Sequence, residues 1–181
     1  MTQKGTHKML RRLVTVDGPD GKSYMLSQAA LEHPILDPAR PGFALYPVWA
    51  TEQTPIPIPK KVDFSPSQPS VHPPPHGSLC YLCVLAPDRK AMSRVQAPHT
   101  APLKSPTDSG DGKAPARHPY FRRSTALEFC AVLQGEVTLL LDRQDVILQT
   151  SETAILKGVH HAWINHSDRD CVLFISAHGG R

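Results

Sequence analysis

Apolar and polar residues alternate along the C-terminal third of the chain with the period of a β-strand. Val137, Leu139 and Leu141 would lie on one face of such a strand, and the residues between them on the other. Further short apolar runs follow, separated by polar or glycine-containing turns, at 146–148, 151–156, 162–165 and 171–176. Short strands at even spacing are typical of an antiparallel sandwich or barrel. The sequence therefore predicts an all-β fold.

The first half of the chain predicts further strands, which proline interrupts. Residues 12–15 and 22–27 flank a turn rich in Gly and Asp and are expected to form a hairpin. A strand is also expected at 43–49, where Pro47 indicates a sheet edge or a bulge. The apolar run at 79–85 predicts the last strand of this half.

Proline is the compositional anomaly, with 19 residues in a chain of 181. Three of them fall within 28–41, where we expect neither helix nor strand, and others make 51–77 a stiff connector. Residues 86–118 lack periodicity, so this long loop is expected to be either disordered or a lid over the barrel. We expect a single domain over 1–181, with a loose tail at 1–9, leading strands and connector at 10–85, the loop at 86–118 and the main barrel strands at 119–178.

Charge and hydropathy exclude several classes of function. The formal net charge is +4, but the basic residues are scattered, so no nucleic-acid partner is expected. No apolar run approaches the roughly 20 residues that a membrane helix needs, and no apolar run follows the N-terminus as in a secretory signal. We therefore expect a soluble, cytoplasmic protein that does not bind a membrane.

The cysteines do not predict a metal or redox site. Cys80 and Cys83 form a C-x-x-C motif within the apolar run at 79–85. Residues three apart on a strand point to opposite faces, so these two thiols could not easily share one metal ion. Together with Cys130 and Cys171 they are expected to be buried, inert thiols.

Gly158 is followed by His161 and Asn165 at spacings of three and four residues, and Glu128 is followed by Gly135 at a spacing of seven. The first pattern resembles the second motif of the cupin superfamily, and the second pattern resembles the second half of the first cupin motif. The resemblance is close over residues 117–178 and looser towards the start of the chain. It implies a jelly-roll barrel, a double-stranded antiparallel β-helix, here with extended proline-rich N-terminal strands and loops. It also implies a homodimer, for which the exposed strand edges of a short barrel give a physical reason.

The chain departs from the family at the metal site. Cupins usually place two histidines just before the carboxylate that corresponds to Glu128, whereas this chain has Phe-Arg-Arg-Ser at 121–124. A guanidinium group is permanently charged and donates only, so it cannot be a ligand. We therefore expect no metal cofactor. The alternative is a divalent Fe, Mn, Ni or Zn ion held by His161 and Glu128, with an unexpected third ligand such as His118 or His160.

Strand parity selects the residues that would face the barrel interior. The predicted interior set is Arg122, Ser124, Glu128, His161 and Trp163, with Tyr120 at the mouth. Arg123 would face outward unless a bulge turns it inward, and it is retained as a candidate contact for the substrate.

The catalytic candidates are His161, Glu128 and Arg122. His161 could move a proton near neutral pH, and a buried Glu128 would either take up a proton more readily or pair with His161 or Arg122. Arg122 could clamp an anion through two N–H groups. The candidates for substrate binding are Trp163, which offers a flat apolar wall, Ser124, Tyr120 and Arg123. Purely structural roles remain open, namely a satisfied core histidine at 161, an ion pair of Glu128 with Arg122, and a core tryptophan at 163.

Three functions fit this sequence. The first is a metal-independent lyase or isomerase of a biosynthetic pathway, which would decarboxylate, dehydrate or cyclise a small acidic, aromatic or polyketide-like molecule. The second is a metal-dependent dioxygenase. The third is a barrel that binds a small ligand without chemistry. A fold of this kind does not by itself choose among them.

Overall fold

The computed structural model describes residues 10–56, 58, 70–88 and 118–180. The predicted tail at 1–9, the centre of the proline-rich connector and most of the predicted loop at 86–118 lie outside these residues. The described strands are β1 (Arg11–Asp17), β2 (Ser23–Ala30), β3 (Ile35–Leu36), β4 (Phe43–Thr51), β5 (Ser78–Leu85), β6 (Arg122–Arg123), β7 (Leu127–Gln134), β8 (Glu136–Leu141), β9 (Asp145–Gln149), β10 (Thr153–Lys157), β11 (His160–Ile164) and β12 (Cys171–His178).

The strands form a barrel of two facing antiparallel sheets. The larger sheet has the order β10-β7-β12-β5-β4-β3, and the smaller sheet has the order β6-β11-β8-β9. Both sheets contribute to one core, in which Leu173 and Ile175 of β12 pack in the same cluster as Val137 and Leu139 of β8. The prediction of an all-β antiparallel barrel is confirmed.

The alternation along β8 has the predicted parity. Val137 and Leu139 belong to the main core, against which Leu141 packs. Leu140 points the other way, into a second cluster with Ala162 and Ile164 of β11. Tyr120 and Phe121 pack against this second cluster, so the outer face of β8 and β11 is covered as well.

The leading strands differ in part from the prediction. The hairpin of β1 and β2 forms as expected, but as a two-stranded sheet of its own. The Nη1 group of Arg12 ties it to the barrel by donating to the carbonyl of Val48 at 3.1 Å. The short strand β3, expected to be absent, pairs with β4 at two positions, because the two residues between Pro34 and Asp37 are free to extend. The register of β4 against β5 shifts between Pro47 and Trp49, which is the predicted bulge.

Glycine and asparagine fix the turns of the motif region. Gly158 ends β10 with a positive φ of 62°, a conformation that favours glycine. The side chain of Asn165 closes the turn between β11 and β12, where its Nδ2 donates to the carbonyls of Leu85 and Arg169 at 2.8 and 2.7 Å. The motif asparagine therefore has a structural role.

The structure also tests the predictions about the cysteines and about a membrane helix. Cys83 is buried in the core, whereas Cys80 is partly exposed and donates to the hydroxyl of Ser176 at 3.3 Å. The C-x-x-C pair therefore points to opposite faces, as predicted, although Cys80 is less buried than expected. Burial raises the pKa of the Cys83 thiol to about 12, which keeps it unreactive. In the described part of the chain, no helix is long and apolar enough to cross a membrane.

Candidate functional site

The barrel interior contains two chambers. The larger, of about 230 Å³, is lined by Arg122, Arg123, Ser124, Glu128 and Tyr81, and also by Val71, His72, the prolines at 73 and 75, Gly179 and Gly180. A Cβ atom at Gly179 would collide with the carbonyl oxygens of Pro74 and Pro75, and one at Gly180 with that of Thr125. The close approach of the backbone therefore requires glycine at these two positions of the wall.

The smaller chamber, of about 60 Å³, lies on the other side of Arg122. Its polar lining consists of Arg40, Arg122, His161, Trp163, Tyr120 and Asp37, and apolar groups such as Phe43 and Leu45 complete it. Arg122 and Tyr81 line both chambers, whereas Glu128 lines the larger and His161 the smaller. The two predicted acid–base residues thus face different chambers with one guanidinium common to both.

The strand pairing explains where Arg122 lies. Arg122 of β6 is directly opposite His161 of β11, so the two side chains share one face of the smaller sheet. Glu128 belongs to β7 in the larger sheet, where it pairs with Ala177. Residues 124–126 bend the chain from one sheet to the other. If residues 122–128 formed one continuous strand, the alternation of side chains would place Arg123 on the outside of the barrel. The bend changes this, and both Arg122 and Arg123 line the larger chamber.

Glu128 is held by a neighbouring hydroxyl. The Oγ of Ser124 donates to Glu128 Oε1 at 2.5 Å and also accepts the amide N–H of Ala126 at 3.2 Å. Glu128 is only 4% exposed. The expected ion pair of Glu128 with Arg122 or His161 is absent from the described residues, where its Oε2 has no hydrogen-bond partner. Ser124 therefore satisfies one carboxylate oxygen and leaves the other available inside the barrel.

His161 is fully buried and has one satisfied ring nitrogen. Its Nδ1 lies 3.1 Å from the carbonyl of Val159, and because a carbonyl only accepts, Nδ1 is the protonated nitrogen. Within the described residues Nε2 has no partner, so it presents a lone pair. Burial lowers the pKa of His161, and the charge of Glu128 offsets part of this effect. The imidazole is therefore neutral at neutral pH.

Trp163 and Tyr120 line the smaller chamber. Trp163 is 4% exposed, belongs to the core cluster and meets the ring of His161 edge to face, with the centroids 6.2 Å apart. Its indole Nε1 has no acceptor among the described residues. The hydroxyl of Tyr120 donates to the carbonyl of Ala39 at 3.4 Å, and its ring packs against a guanidinium.

That guanidinium belongs to Arg40, a site residue that the sequence did not reveal. Arg40 stacks on Tyr120 and Phe43, at 4.3 and 5.1 Å from the ring centroids, and donates to the carbonyl of Trp163. It lies in the proline-rich segment at 28–41, where no periodicity indicates which side chains face inward. The sequence holds no signal that would have identified it.

The side chains do not fit the divalent metal that the cupin resemblance implies. Glu128 Oε2 and His161 Nε2 are suitable donors, but in the ranges described no group of three or more His, Cys, Asp or Glu side chains could hold an ion. The two substitute ligands considered above face carboxylates instead, with His118 3.8 Å from Asp88 and His160 3.5 Å from Asp142. Since the cationic Arg122 also pairs across the strands with His161, a metal cation would be repelled here.

Comparison with known proteins gives likenesses of fold. No protein-family model matches the sequence, and no curated protein matches it. A Cupin_2 domain of an XRE-family transcriptional regulator from Enterobacter cloacae is 18% identical over 57% of this chain and 83% of that one, with a TM-score of 0.36. A candidate ethanolamine utilization protein Q from Salmonella typhimurium is 13% identical over 97% and 100%, with a TM-score of 0.46. A Cupin 2 conserved barrel domain protein from Salinispora arenicola is 13% identical over 82% and 89%, with a TM-score of 0.38.

These likenesses concern the fold alone. The strand order of this chain defines an antiparallel barrel of two facing sheets, as the sequence predicted, and its two motifs resemble those of cupins. What the barrel does must be argued from its own side chains.

Proposed function

We propose that this protein is a small-molecule enzyme that carries out metal-independent proton-transfer chemistry of the lyase or isomerase type. The substrate would be a small acidic or aromatic molecule, and the reaction a decarboxylation, a dehydration or a ring closure. One observation carries the proposal: Glu128 Oε2 and His161 Nε2 are buried, have no partner among the described residues, and flank the chambers that Arg122 lines.

Each residue has a role that its contacts support. Glu128 has one oxygen bound by Ser124, so the other is the natural proton acceptor or donor for a substrate in the larger chamber. His161 is neutral, its unpartnered Nε2 is buried beside the smaller chamber, and the imidazole can accept a proton there. Arg122 faces both chambers and would stabilise negative charge as it develops on the substrate.

The alternative is a metal-dependent dioxygenase, and a specific observation favours it. The two unpartnered atoms, Glu128 Oε2 and His161 Nε2, are of the types that ligate divalent iron, manganese, nickel or zinc. Against it, two protein ligands rarely hold a catalytic ion, and Arg122 adds a positive charge beside them. Metal analysis of the purified protein separates the two proposals, since stoichiometric metal that is lost in Glu128→Gln and His161→Asn would favour the alternative.

The test of the main proposal starts from a panel of small hydroxy, keto and aromatic acids. Binding is screened by thermal shift, and turnover of each ligand is followed by NMR in metal-free buffer. Glu128→Gln keeps the shape of the side chain and removes its basicity, so we expect turnover to fall at least about 100-fold while binding changes little. Glu152→Gln, on an exposed turn, is the matched control. Unchanged turnover in Glu128→Gln would refute the proposal, and binding without any turnover would leave a barrel that only holds a ligand.

A further inference from the structure

The smaller chamber holds hydrogen-bond donors in excess of acceptors. Arg40 and Arg122 both line it, and in the part of the chain that the structure describes no carboxylate lies within 4.0 Å of either guanidinium. Asp37 lines the same chamber, but its Oδ1 accepts the amide of Ala39, and no ion pair joins it to either arginine. Two guanidinium groups thus share one chamber without an ion-pair partner among the described residues.

A third, buried donor belongs to a residue that lines the same space. Trp163 lines the chamber, is 4% exposed, and its indole N–H has no acceptor among the described residues. An indole nitrogen can only donate. A buried donor without an acceptor costs about 1–3 kcal/mol, and an uncompensated buried charge costs more. A carboxylate in this chamber would compensate the two guanidinium charges beside the buried indole N–H.

The surroundings of Arg40 reinforce this point. Of its five N–H donors, the described residues bind one, through the carbonyl of Trp163. Burial lowers the pKa of Arg40, the nearby Cys83, Tyr120 and Asp88 offset part of this effect, and the positive charge of Arg122 adds a smaller contribution in the same direction as burial. The stacking on Phe43 and Tyr120 fixes the plane of the guanidinium and leaves its edge for a ligand.

We infer that the smaller chamber is an anion-binding subsite, formed by Arg40 and Arg122 beside the buried indole of Trp163, which binds the carboxylate group of the substrate. One water needs a cavity volume of roughly 10–15 Å³. A chamber of about 60 Å³ therefore has room for a carboxylate group and little more. The rest of the molecule would then lie past Arg122 in the larger chamber, beside Ser124 and Glu128. Only this placement of the substrate rests on the proposed function.

Acetate binding to this subsite can be tested through the indole NMR signals, because the chain contains two tryptophans and only one of them lines the subsite. Trp163 lines the subsite, whereas Trp49 lies on β4 beside the β1–β2 hairpin. In ¹⁵N-labelled protein, acetate at constant ionic strength should shift the indole signal of Trp163 saturably and leave that of Trp49 in place. Acetamide, a neutral molecule of similar size, should shift neither. Absence of a saturable shift, or equal effects of acetate and acetamide, would overturn the inference, and this comparison needs no variant.

Substitutions then show which residues contribute to acetate binding. Arg40→Met should weaken acetate binding at least tenfold, Arg40→Lys should retain part of it, and Trp163→Phe should weaken it while preserving the ring. Arg143→Met, at an exposed turn after β8, is the matched control and should bind acetate like the wild type. Equal weakening in the control would contradict the assignment. If acetate binds as expected and Glu128→Gln turns over normally, the subsite stands and the proposed function fails; the opposite pair of results removes the subsite and keeps the function.

Discussion

Ser124 donates its hydroxyl to Glu128 Oε1 at 2.5 Å, across the bend that takes the chain from one sheet to the other. The same hydroxyl oxygen accepts the N–H of Ala126, so Ser124 connects the bend to the buried carboxylate. Ser124 is therefore a positioning residue for Glu128 as well as part of the chamber wall.

Removal of this hydroxyl should destabilise the protein. In Ser124→Ala, both oxygens of Glu128 lack a partner, and the loss of one buried hydrogen bond is expected to reduce the free energy of unfolding by about 1–3 kcal/mol. Urea denaturation, monitored by circular dichroism, measures this change in the free energy of unfolding. Thr125→Ala changes the neighbouring exposed hydroxyl and should stay near the wild type, whereas Ser124→Thr should recover part of the loss. Equal stability of Ser124→Ala and the wild type would contradict the role given to Ser124.

His161 should make the fold less stable in acid. Its pKa lies below the ordinary value of 6.5 because it is buried. Below pH 6.5 the unfolded chain therefore binds a proton that the folded chain does not, so stability falls as the pH falls, with a slope of up to about 1.4 kcal/mol per pH unit. Denaturation between pH 7.5 and 5 should show this slope in the wild type and less of it in His161→Asn.

The control for this experiment is the adjacent histidine. His160 is partly exposed and pairs with Asp142, so His160→Asn keeps the buried imidazole and should retain the slope of the wild type. If the slope survived in His161→Asn and disappeared in His160→Asn, the pH dependence would belong to His160, and the prediction for His161 would be wrong.

Asn165 should be more important for stability than for ligand binding. Its Nδ2 donates to two carbonyls, and its Oδ1 accepts the amide and the hydroxyl of Ser167 at 3.0 and 2.7 Å. Asn165→Ala removes all four of these hydrogen bonds of a buried side chain, which should cost more than about 2 kcal/mol. Thermal and urea denaturation test this, with His166→Ala, at an exposed neighbouring position, as the control. A stable Asn165→Ala that has lost acetate binding would reverse the assignment.

We propose that the protein is a homodimer that associates through the outer face of the larger sheet. Phe129 and Ile155 are cross-strand partners there and are 44% and 61% exposed, next to the edge strand β10. Light scattering of the wild type should give twice the monomer mass. Ile155→Lys should give the monomer, and Ile147→Lys, equally exposed on β9 of the other sheet, should remain dimeric. A monomeric wild type excludes the proposal.

The sequence predicted most of the barrel because the information is local there. Alternation from Val137 to Leu141 and the glycines at 135 and 158 determine strands and turns within a few residues of each other. The same holds for the inward orientation of Glu128 and His161, which parity alone decides. The Pro47 bulge is also local, since proline cannot donate to the neighbouring strand.

The site was less predictable because its contacts are distant in sequence. Arg40 meets Trp163 across 123 positions, and nothing in its neighbours indicates that contact. Parity failed at Arg123 because the strand breaks between β6 and β7. The sequence also does not indicate the hydrogen bond of Ser124 to Glu128, because it predicts both residues in the cavity but not which group pairs with the carboxylate.

Gly179 and Gly180 give the larger chamber an asymmetry that bears on how it could change its specificity. A side chain at either glycine would collide with the backbone of the prolines at 74 and 75 or of Thr125, so these two positions cannot change unless that backbone moves. The side chains at 122–124 line the same chamber, and single substitutions there would change its shape. Evolution or engineering of this chamber towards new ligands is therefore expected to proceed through its side chains and not through the two glycines.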